Sequence, residues 1–357
     1  MTVPGGPDEG AAGRRLADLT TLRLGGPADS MATAGSIAEL VDTIRVADTA
    51  GVPVLLVGGG SNLVVGDAGW PGLAVLVRAR GLTAESDGDR VVVTVAAGEP
   101  WDSLVARTVA RGWSGLESLS GIPGLAGATP VQNVGAYGQE VAEVVSGVRV
   151  LDRSDGRVRD LDSGECRFGY RTSLFKHTER YVVLSVTFAL RASEKSGPVR
   201  YPELARLLGL AVGDVATLAD VRVAVLSLRR GKGMVLDPAD HDTWSVGSFF
   251  TNPVLGPADL AAFEQRLTPG QDYPSWPVGA GRDRKLSAAW LIDKAGFHRG
   301  HGTGPARISS KHTLALTHLG GGSTADLIAL AREVRDGVRD QFGVTLAEEP
   351  RLVGVTL

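Results

Sequence analysis

Residues 115–138, GLESLSGIPGLAGATPVQNVGAYG, are too rich in glycine and proline to form any long regular element. A long irregular stretch inside a compact protein is usually functional. Gly121, Gly124 and Gly127 recur every third residue, and Ile122, Leu125, Val131 and Val134 lie among them. A solvated linker would not carry those apolar side chains. The segment therefore reads as a loop that wraps a flat or phosphorylated ligand while leaning on a core.

The flanking sequence supplies that core. Ser36-Ile37-Ala38-Glu39 has the S-x-x-E spacing of a capping box, and Ile37, Leu40, Val41 and Ile44 follow at helical spacing up to Gly51. The apolar run 52–57 predicts a buried strand. The tight turn GGGSN (58–62) then leads into a short strand at 63–65. Further strands are predicted at 91–96, 146–151 and 181–190, and a helix over 101–111 after Pro100. Helix patterns return at 285–295 and 323–342; in the second, Leu327, Leu330, Ala331, Val334, Val338 and Phe342 form one stripe ending at Gly343. Helix and strand are mixed without βαβ alternation or internal repeat, and 231–243 offers a seam between domains.

With 357 residues the chain has room for two or three domains. A net charge of −3 argues against a nucleic-acid or membrane-surface protein. The lone Cys166 excludes a disulfide scaffold and reads as a small inert side chain. The start, MTVPGGPDEGAAGRR, has no apolar h-region and reads as a disordered lead-in, and no apolar run is long enough to span a bilayer. A soluble, cytoplasmic protein is expected.

Five motifs are candidates for chemistry. GGGSN can present amides to a phosphate, or be a plain tight turn; it is neither a Rossmann fingerprint nor a Walker loop. The 121–138 loop is the second. In CRFGYRTSLFK (166–176), Arg171 is either an anchor for a carboxylate or phosphate, or half of a structural salt bridge. Glu348 and Glu349 precede a proline near the C-terminus, where paired acids are most often a solvated face. His298, His301 and His312 lack carboxylate or cysteine at ligand spacing, so no metal is expected. Ser248, in WSVGSFFTNPVL, has no adjacent histidine and no G-x-S-x-G elbow, which leaves a Ser-His-Asp triad unsupported.

Taken in order, GGGSNLVV, GIPGLAGATPVQNVGAYGQE, FGYRTSLFK, GSFFTNP and EEPRLVG resemble the UDP-N-acetylenolpyruvoylglucosamine reductase (MurB) family, flavoenzymes of peptidoglycan precursor synthesis. The resemblance runs from about Leu19 to the C-terminus. It implies an α+β fold: a two-subdomain FAD-binding module of the vanillyl-alcohol-oxidase type plus a separate α/β substrate-binding domain. The expected boundaries are a lead-in over 1–17, an FAD-binding domain over 18–235 split near 80–90, a substrate domain over 236–343, and a segment over 344–357 returning to the active site.

The resemblance further implies non-covalent FAD, NADPH as reductant and UDP-GlcNAc-enolpyruvate as substrate, in a monomer. Hydride adds to C3 of the enolpyruvyl group and a proton to C2. By the family's pattern Ser248 delivers that proton, and Arg171 and Glu349 flank the substrate carboxylate. Pro350 departs from the valine or isoleucine usual after that glutamate. The implied FAD residues are Gly58, Gly59, Gly60, Ser61 and Asn62; Gly121, Ile122, Pro123, Gly124, Gly127, Ala128 and Thr129; and Gln132, Asn133 and Gly135. The implied substrate ligands are Tyr137, Tyr170, Lys232 and Asn252, with Lys232 on the UDP phosphates and Arg229 or Arg230 able to share its work. Two other readings stay open on the residues alone: an FAD-dependent alcohol or hydroxy-acid oxidase, and a non-enzymatic nucleotide-binding protein that has kept the fold.

Overall fold

The S-x-x-E pattern at Ser36 starts helix α1 (Ile37–Thr49), and the capping serine accepts from the Glu39 amide at 3.1 Å. The Glu39 carboxylate accepts from Gly35 at 2.8 Å, one residue before the position a capping box would give it. α1 buries Leu40, Val41, Ile44 and Ala47, and Gly51 follows with φ +67°. In the computed structural model, which describes residues 15–279 and 281–357, the chain divides into two units. One comprises Ala28–Gly59 and Pro71–Val235. The other comprises residues 15–27, Gly60–Trp70 and Leu236–Leu357. Of the expected lead-in over 1–17, residues 1–14 lie outside the described residues, whereas Arg15 bridges Pro27 and Leu16 is buried.

The first unit holds two sheets. A three-stranded sheet has the order Ala28–Ala34, Trp70–Val77, Val54–Val57, and the last two pair in parallel. Val54–Val57 is almost wholly buried, as an uninterrupted apolar run predicts for a parallel strand. The larger sheet is antiparallel, in the order Arg157–Asp162, Val145–Asp152, Tyr181–Ala192, Arg90–Ala96, Leu82–Asp87. Helix α2 (Trp101–Ala110) buries Trp101, whose ring lies 5.9 Å from Phe188 and whose indole N–H donates to the Leu119 carbonyl at 3.0 Å. Residues of α1, α2 and both sheets share one apolar core. Helices α3 (Pro202–Leu208) and α4 (Leu218–Gly231) form a smaller one from Leu204, Ala205, Val221, Ala224 and Val225.

Asp152 ends its strand with a fully buried carboxylate. Arg180 grips it with two bonds of 2.9 and 2.7 Å, Arg159 approaches to 3.1 Å, and Ser154 donates from its hydroxyl at 2.6 Å and its amide at 3.1 Å. The Arg180 bonds, against the opposing effect of burial, hold this carboxyl well below the usual carboxylate range.

The second unit contains α5 (Pro257–Glu264), α6 (Ala288–Lys294) and α7 (Thr324–Phe342). The helix expected over 285–295 starts at Ala288. Arg284–Leu286 is instead the middle strand of a small antiparallel sheet, and Ser287 caps the helix by accepting from the Trp290 amide. Three residues are too few to show a strand period. α7 buries the whole predicted stripe and ends at Gly343, φ +70°. Leu22, Leu24 and Val64 join Phe249, Phe250, Phe263 and Phe342 in the core. Leu63–Val65 pairs in parallel with Arg351–Val353. Asp67 caps α7 from 257 residues away, accepting from the Thr324 and Ala325 amides at 2.8 and 3.0 Å.

Losing that carboxylate strands two amides at the positive end of a long helix. Asp67→Ala should therefore cost about 1 kcal/mol, seen as a lower melting temperature. Asp152 gives a pH-dependent counterpart. Its folded pKa is depressed, so its contribution is present above the unfolded carboxyl value of 3.8 and is lost as pH falls towards the folded one. Asp152→Asn should melt several degrees lower at neutral pH, and the gap should narrow below about pH 4. A constant gap across that range in calorimetric scans would contradict the assignment.

Candidate functional site

In the first unit the two glycine-rich stretches meet backbone to backbone. A Cβ on Gly59 would stand 2.7 Å from Gly124 Cα, and Gly58 lies against the Leu125 side chain. The Gly58 carbonyl accepts from Arg78 at 3.0 Å, and Arg78 also donates to its neighbour Val77 at 2.9 Å. Burial, then Arg80, draws the Arg78 pKa down. The 121–129 loop is tied to the turn that opens α2: Trp101 N–H donates to Gly124 O, Ala126 N–H to Glu99 O, and Gly127 N–H to Ala97 O, all within 3.0 Å. Gly127 has no room for a side chain, because its Cβ would lie 2.4 Å from the Ala97 methyl. The Gly121 amide donates to Asp102 at 2.6 Å, and Arg222 holds that carboxylate with two bonds of 2.6 and 2.9 Å. Thr129 turns its hydroxyl inward, onto Ala126 O at 2.8 Å, and Ala128 is exposed.

These loops suit an anionic, flat cofactor. Among the described residues, the amides of Gly59, Ile122 and Gly124 donate to no acceptor of the protein, and Gly59 and Gly124 touch. Adjacent free amides without Cβ atoms are the donor set that phosphate groups take.

Further along, the Asn133 side chain is fully employed. Its amide donates to Glu140 at 2.7 Å and Gly169 O at 3.0 Å, and its oxygen accepts from Ala142 at 3.1 Å. It thus joins the QNVGAYG stretch to the loop carrying Tyr170 and Arg171. Arg171 reaches back with its guanidinium to Gly135 O at 2.8 Å and Asn133 O at 3.5 Å, and lies 5.7 Å from the Tyr170 ring. Gly135–Ala136 and Gln139–Glu140 form a hairpin with Tyr137 and Gly138 at its tip, both at positive φ, the sign pattern of a type I′ turn. Asn133, Tyr137 and Arg171 have φ of +47°, +51° and +51°. Such strain is uncommon outside glycine and collects at functional sites. The Tyr137 hydroxyl is pushed up to about 12, first by burial and then by Glu203 and Tyr201, against the pull of Arg229. It stays protonated and can donate. Lys232, at the end of α4, ion-pairs with Glu203 at 2.5 Å. The half-buried Arg229 donates to Met234 O at 2.8 Å while its enclosed Nε has no partner among the described residues, and desolvation lowers its pKa.

The second unit brings together residues far apart in sequence. Phe249 and Phe250 are buried, and Phe249 N–H donates to Leu314 O at 2.7 Å. Glu349 N–H donates to Phe249 O at 2.8 Å, Thr251 N–H donates to Ala347 O at 3.0 Å, and Phe250 bridges Glu348. Ser248 therefore directly precedes Phe249, the residue whose carbonyl bonds Glu349. Glu348 is exposed and Glu349 half-buried. Two residues on, Arg351 N–H donates to Asn62 O at 2.9 Å, which places the end of GGGSN beside the same tail. Gly60, φ +62°, cannot carry a side chain: its Cβ would sit 1.9 Å from Leu19 O. Asn252 accepts from the Ala288 amide at 2.9 Å and so sets the start of α6 as well as the end of the GSFFTN stretch.

The structure thus gathers Gly58, Gly59, the 121–135 loop, Tyr137, Tyr170, Arg171 and Lys232 in one unit, and Gly60, Ser61, Asn62, Ser248, Asn252 and Glu349 in the other. Arg78, Asp102, Arg222 and Glu203 escape the sequence reading, because each acts on a residue distant in sequence and none belongs to a motif. The histidines find acidic or backbone partners: His298 with Asp293, His301 with Glu333, and His312 accepting from Leu314 N–H. Among the described residues, no group of three or more His, Cys, Asp and Glu could hold a metal ion. Cys166 is buried, which pushes its thiol up to about 11.

Residues 28–162 match the family described as FAD binding domain, and residues 237–353 match the C-terminal domain of UDP-N-acetylenolpyruvoylglucosamine reductase. A protein of that name from Salinispora arenicola is 58% identical over 96% of this chain and 95% of its own length. One from Thermobifida fusca is 57% identical over 96% of this chain and 97% of its own. The crystal structure of the Thermus caldophilus enzyme superimposes with a TM-score of 0.62 at 25% identity, covering 95% of this chain and 97% of that one. Two domain families in sequence, near-complete coverage on both sides and the shared fold agree: the chain belongs to the UDP-N-acetylenolpyruvoylglucosamine reductase family.

Proposed function

We propose that the protein reduces UDP-N-acetylglucosamine enolpyruvate to UDP-N-acetylmuramate, in peptidoglycan precursor synthesis. The observation that carries this reading is the pairing of the GSFFTN stretch with the AEE tail, which sets Ser248 next to Phe249, the residue bonded to Glu349. Bound without a covalent link and reduced by NADPH, FAD would supply the hydride chemistry for C3 of the enolpyruvyl group. The glycine turn of 58–62 and the 121–135 loop would hold that cofactor, with the free amides of Gly59, Ile122 and Gly124 taking its phosphates.

Addition at C3 leaves negative charge at C2, shared with the neighbouring carboxylate. Arg171 and Glu349 hold that carboxylate and the charge that spreads into it, and preorganised polar groups of this kind supply large catalytic terms. Ser248 gives its proton to C2. A neutral hydroxyl is a weak acid, yet a carbanion-like centre is a strong base, so positioning matters more here than activation. Gly247, φ +77°, and the buried pair Phe249 and Phe250 provide it. Tyr137, Tyr170, Lys232 and Asn252 bind the rest of the substrate, with Lys232 on the diphosphate. No helix among the described residues is long and apolar enough to cross a membrane, and we take the enzyme to work as a cytoplasmic monomer on soluble nucleotides.

Ser248→Ala should leave reduction of the flavin by NADPH intact and slow its reoxidation by the enolpyruvyl substrate about 10³-fold, both followed by stopped-flow absorption. Glu349→Gln should also impair only the second half-reaction. If both half-reactions run at the parent rates in Ser248→Ala, another group donates the proton. Gly59→Ala tests the cofactor site apart from the chemistry. A methyl that must displace Gly124 should yield folded protein with a weaker flavin absorption band, restored in part by added FAD.

A further inference from the structure

Lys232 caps α4, its amide bonding the Leu228 and Arg229 carbonyls at 3.2 and 3.1 Å. Its ammonium donates to Glu203 Oε2 at 2.5 Å and stands 5.9 Å from the centre of the Tyr137 ring. Both side chains of the pair are mostly buried, with exposures of 31% and 30%. Glu203 lies in the first turn of α3, and Tyr201, just before that helix, packs edge-on against Tyr137 at 5.4 Å. The shared core of α3 and α4 fixes the glutamate beside the lysine.

We propose that Glu203 sets the affinity of the enzyme for the diphosphate of its nucleotide-sugar substrate, acting as a built-in counter-anion to Lys232. This rests on the reading of Lys232 as a diphosphate ligand. Two effects of the glutamate oppose each other. Holding the flexible lysine stem in place spares the cost of ordering it on binding, a gain of about 2- to 10-fold in affinity. Against that, an ammonium has three donors. A phosphate oxygen on one of the other two would come within roughly 5–6 Å of the Glu203 carboxylate, judged from ordinary hydrogen-bond lengths. At an effective dielectric constant near ~20, like charges at that distance weaken binding by more than about 10-fold for each charge. Repulsion wins, and a diphosphate carries more than one charge. Glu203 therefore loosens the grip on the substrate's handle. Binding energy equal in substrate and transition state would lower KM without raising kcat, so the loosening costs the turnover step nothing.

The test is calorimetric titration of the FAD-loaded enzyme with UDP. Glu203→Gln keeps an acceptor for Lys232 and removes the charge. UDP should bind more than about 10-fold more tightly, the gain should shrink at high salt, and it should vanish in a Lys232→Ala background. KM for the UDP-sugar substrate should fall in parallel with kcat unchanged. Glu203→Ala should also tighten binding, by about 2- to 10-fold less because the lysine stem is released, and serves if the glutamine variant is poorly folded, the flavin spectrum being the check. UDP binding that is unchanged or weaker in both variants, while Lys232→Ala alone weakens it, overturns the proposal. UDP binding insensitive to Lys232→Ala refutes the underlying reading of the lysine, and the proposal with it.

Discussion

The C-terminal tail is the fastener of the second unit. Arg351–Val353 lies in parallel register with Leu63–Val65, and just before it Ala347 and Glu349 bond Thr251 and Phe249. One extended segment thus joins two distant stretches at once: the end of GGGSN with the strand after it, and the GSFFTN stretch. Where this tail runs beside the GSFFTN stretch, a slip of one residue would exchange the places of the exposed Glu348 and the half-buried Glu349. The register is guarded from both ends. Phe249, Phe250 and Leu346 are buried on one side, and Val64 and Val353 on the other, so a slip would expose apolar side chains. The choice between two adjacent glutamates is made by core packing rather than by any property of the carboxylates.

The first unit solves a different problem, that of holding irregular backbone still. A loop without its own ladder must send its amides and carbonyls elsewhere. Here the 121–129 loop sends them to the turn opening α2, while Asn133 spends its whole amide group on joining two loops. Glycine serves less for flexibility than for contact: Gly59, Gly60 and Gly127 each face backbone or a methyl at a distance no Cβ could share. The strained φ values of Asn133, Tyr137 and Arg171 persist because the surrounding bonds over-determine them.

Much of this was legible in the sequence, and the limits have physical causes. α1 and α7 show because a cap, a period and a terminal glycine coincide, and Val54–Val57 because burial on both faces leaves an unbroken apolar run. The strand at Arg284–Leu286 is too short to have a period. α3 and α4 are blurred by apolar residues that stay in solvent, Leu207 and Val223 among them. The candidate site residues come from motifs, whereas Arg78, Asp102 and Glu203 do not. Asp102 meets Arg222 from 120 positions away, and nothing local to either betrays the other.

Arg229 and Lys232 show how that hidden layer sets the chemistry. Both cations belong to the last turn of α4 and its cap, where the helix dipole favours positive charge. Lys232 has a carboxylate in contact. Arg229 has none within bonding distance among the described residues and is desolvated, which by itself is costly. Asp102, more distant, is the ionised acid that offsets that cost electrostatically, while the Tyr137 hydroxyl, held protonated, adds no charge. The same turn therefore carries one neutralised and one under-neutralised cation. An anion approaching it meets a field already divided between the two, with α3 deciding the share that Lys232 can offer.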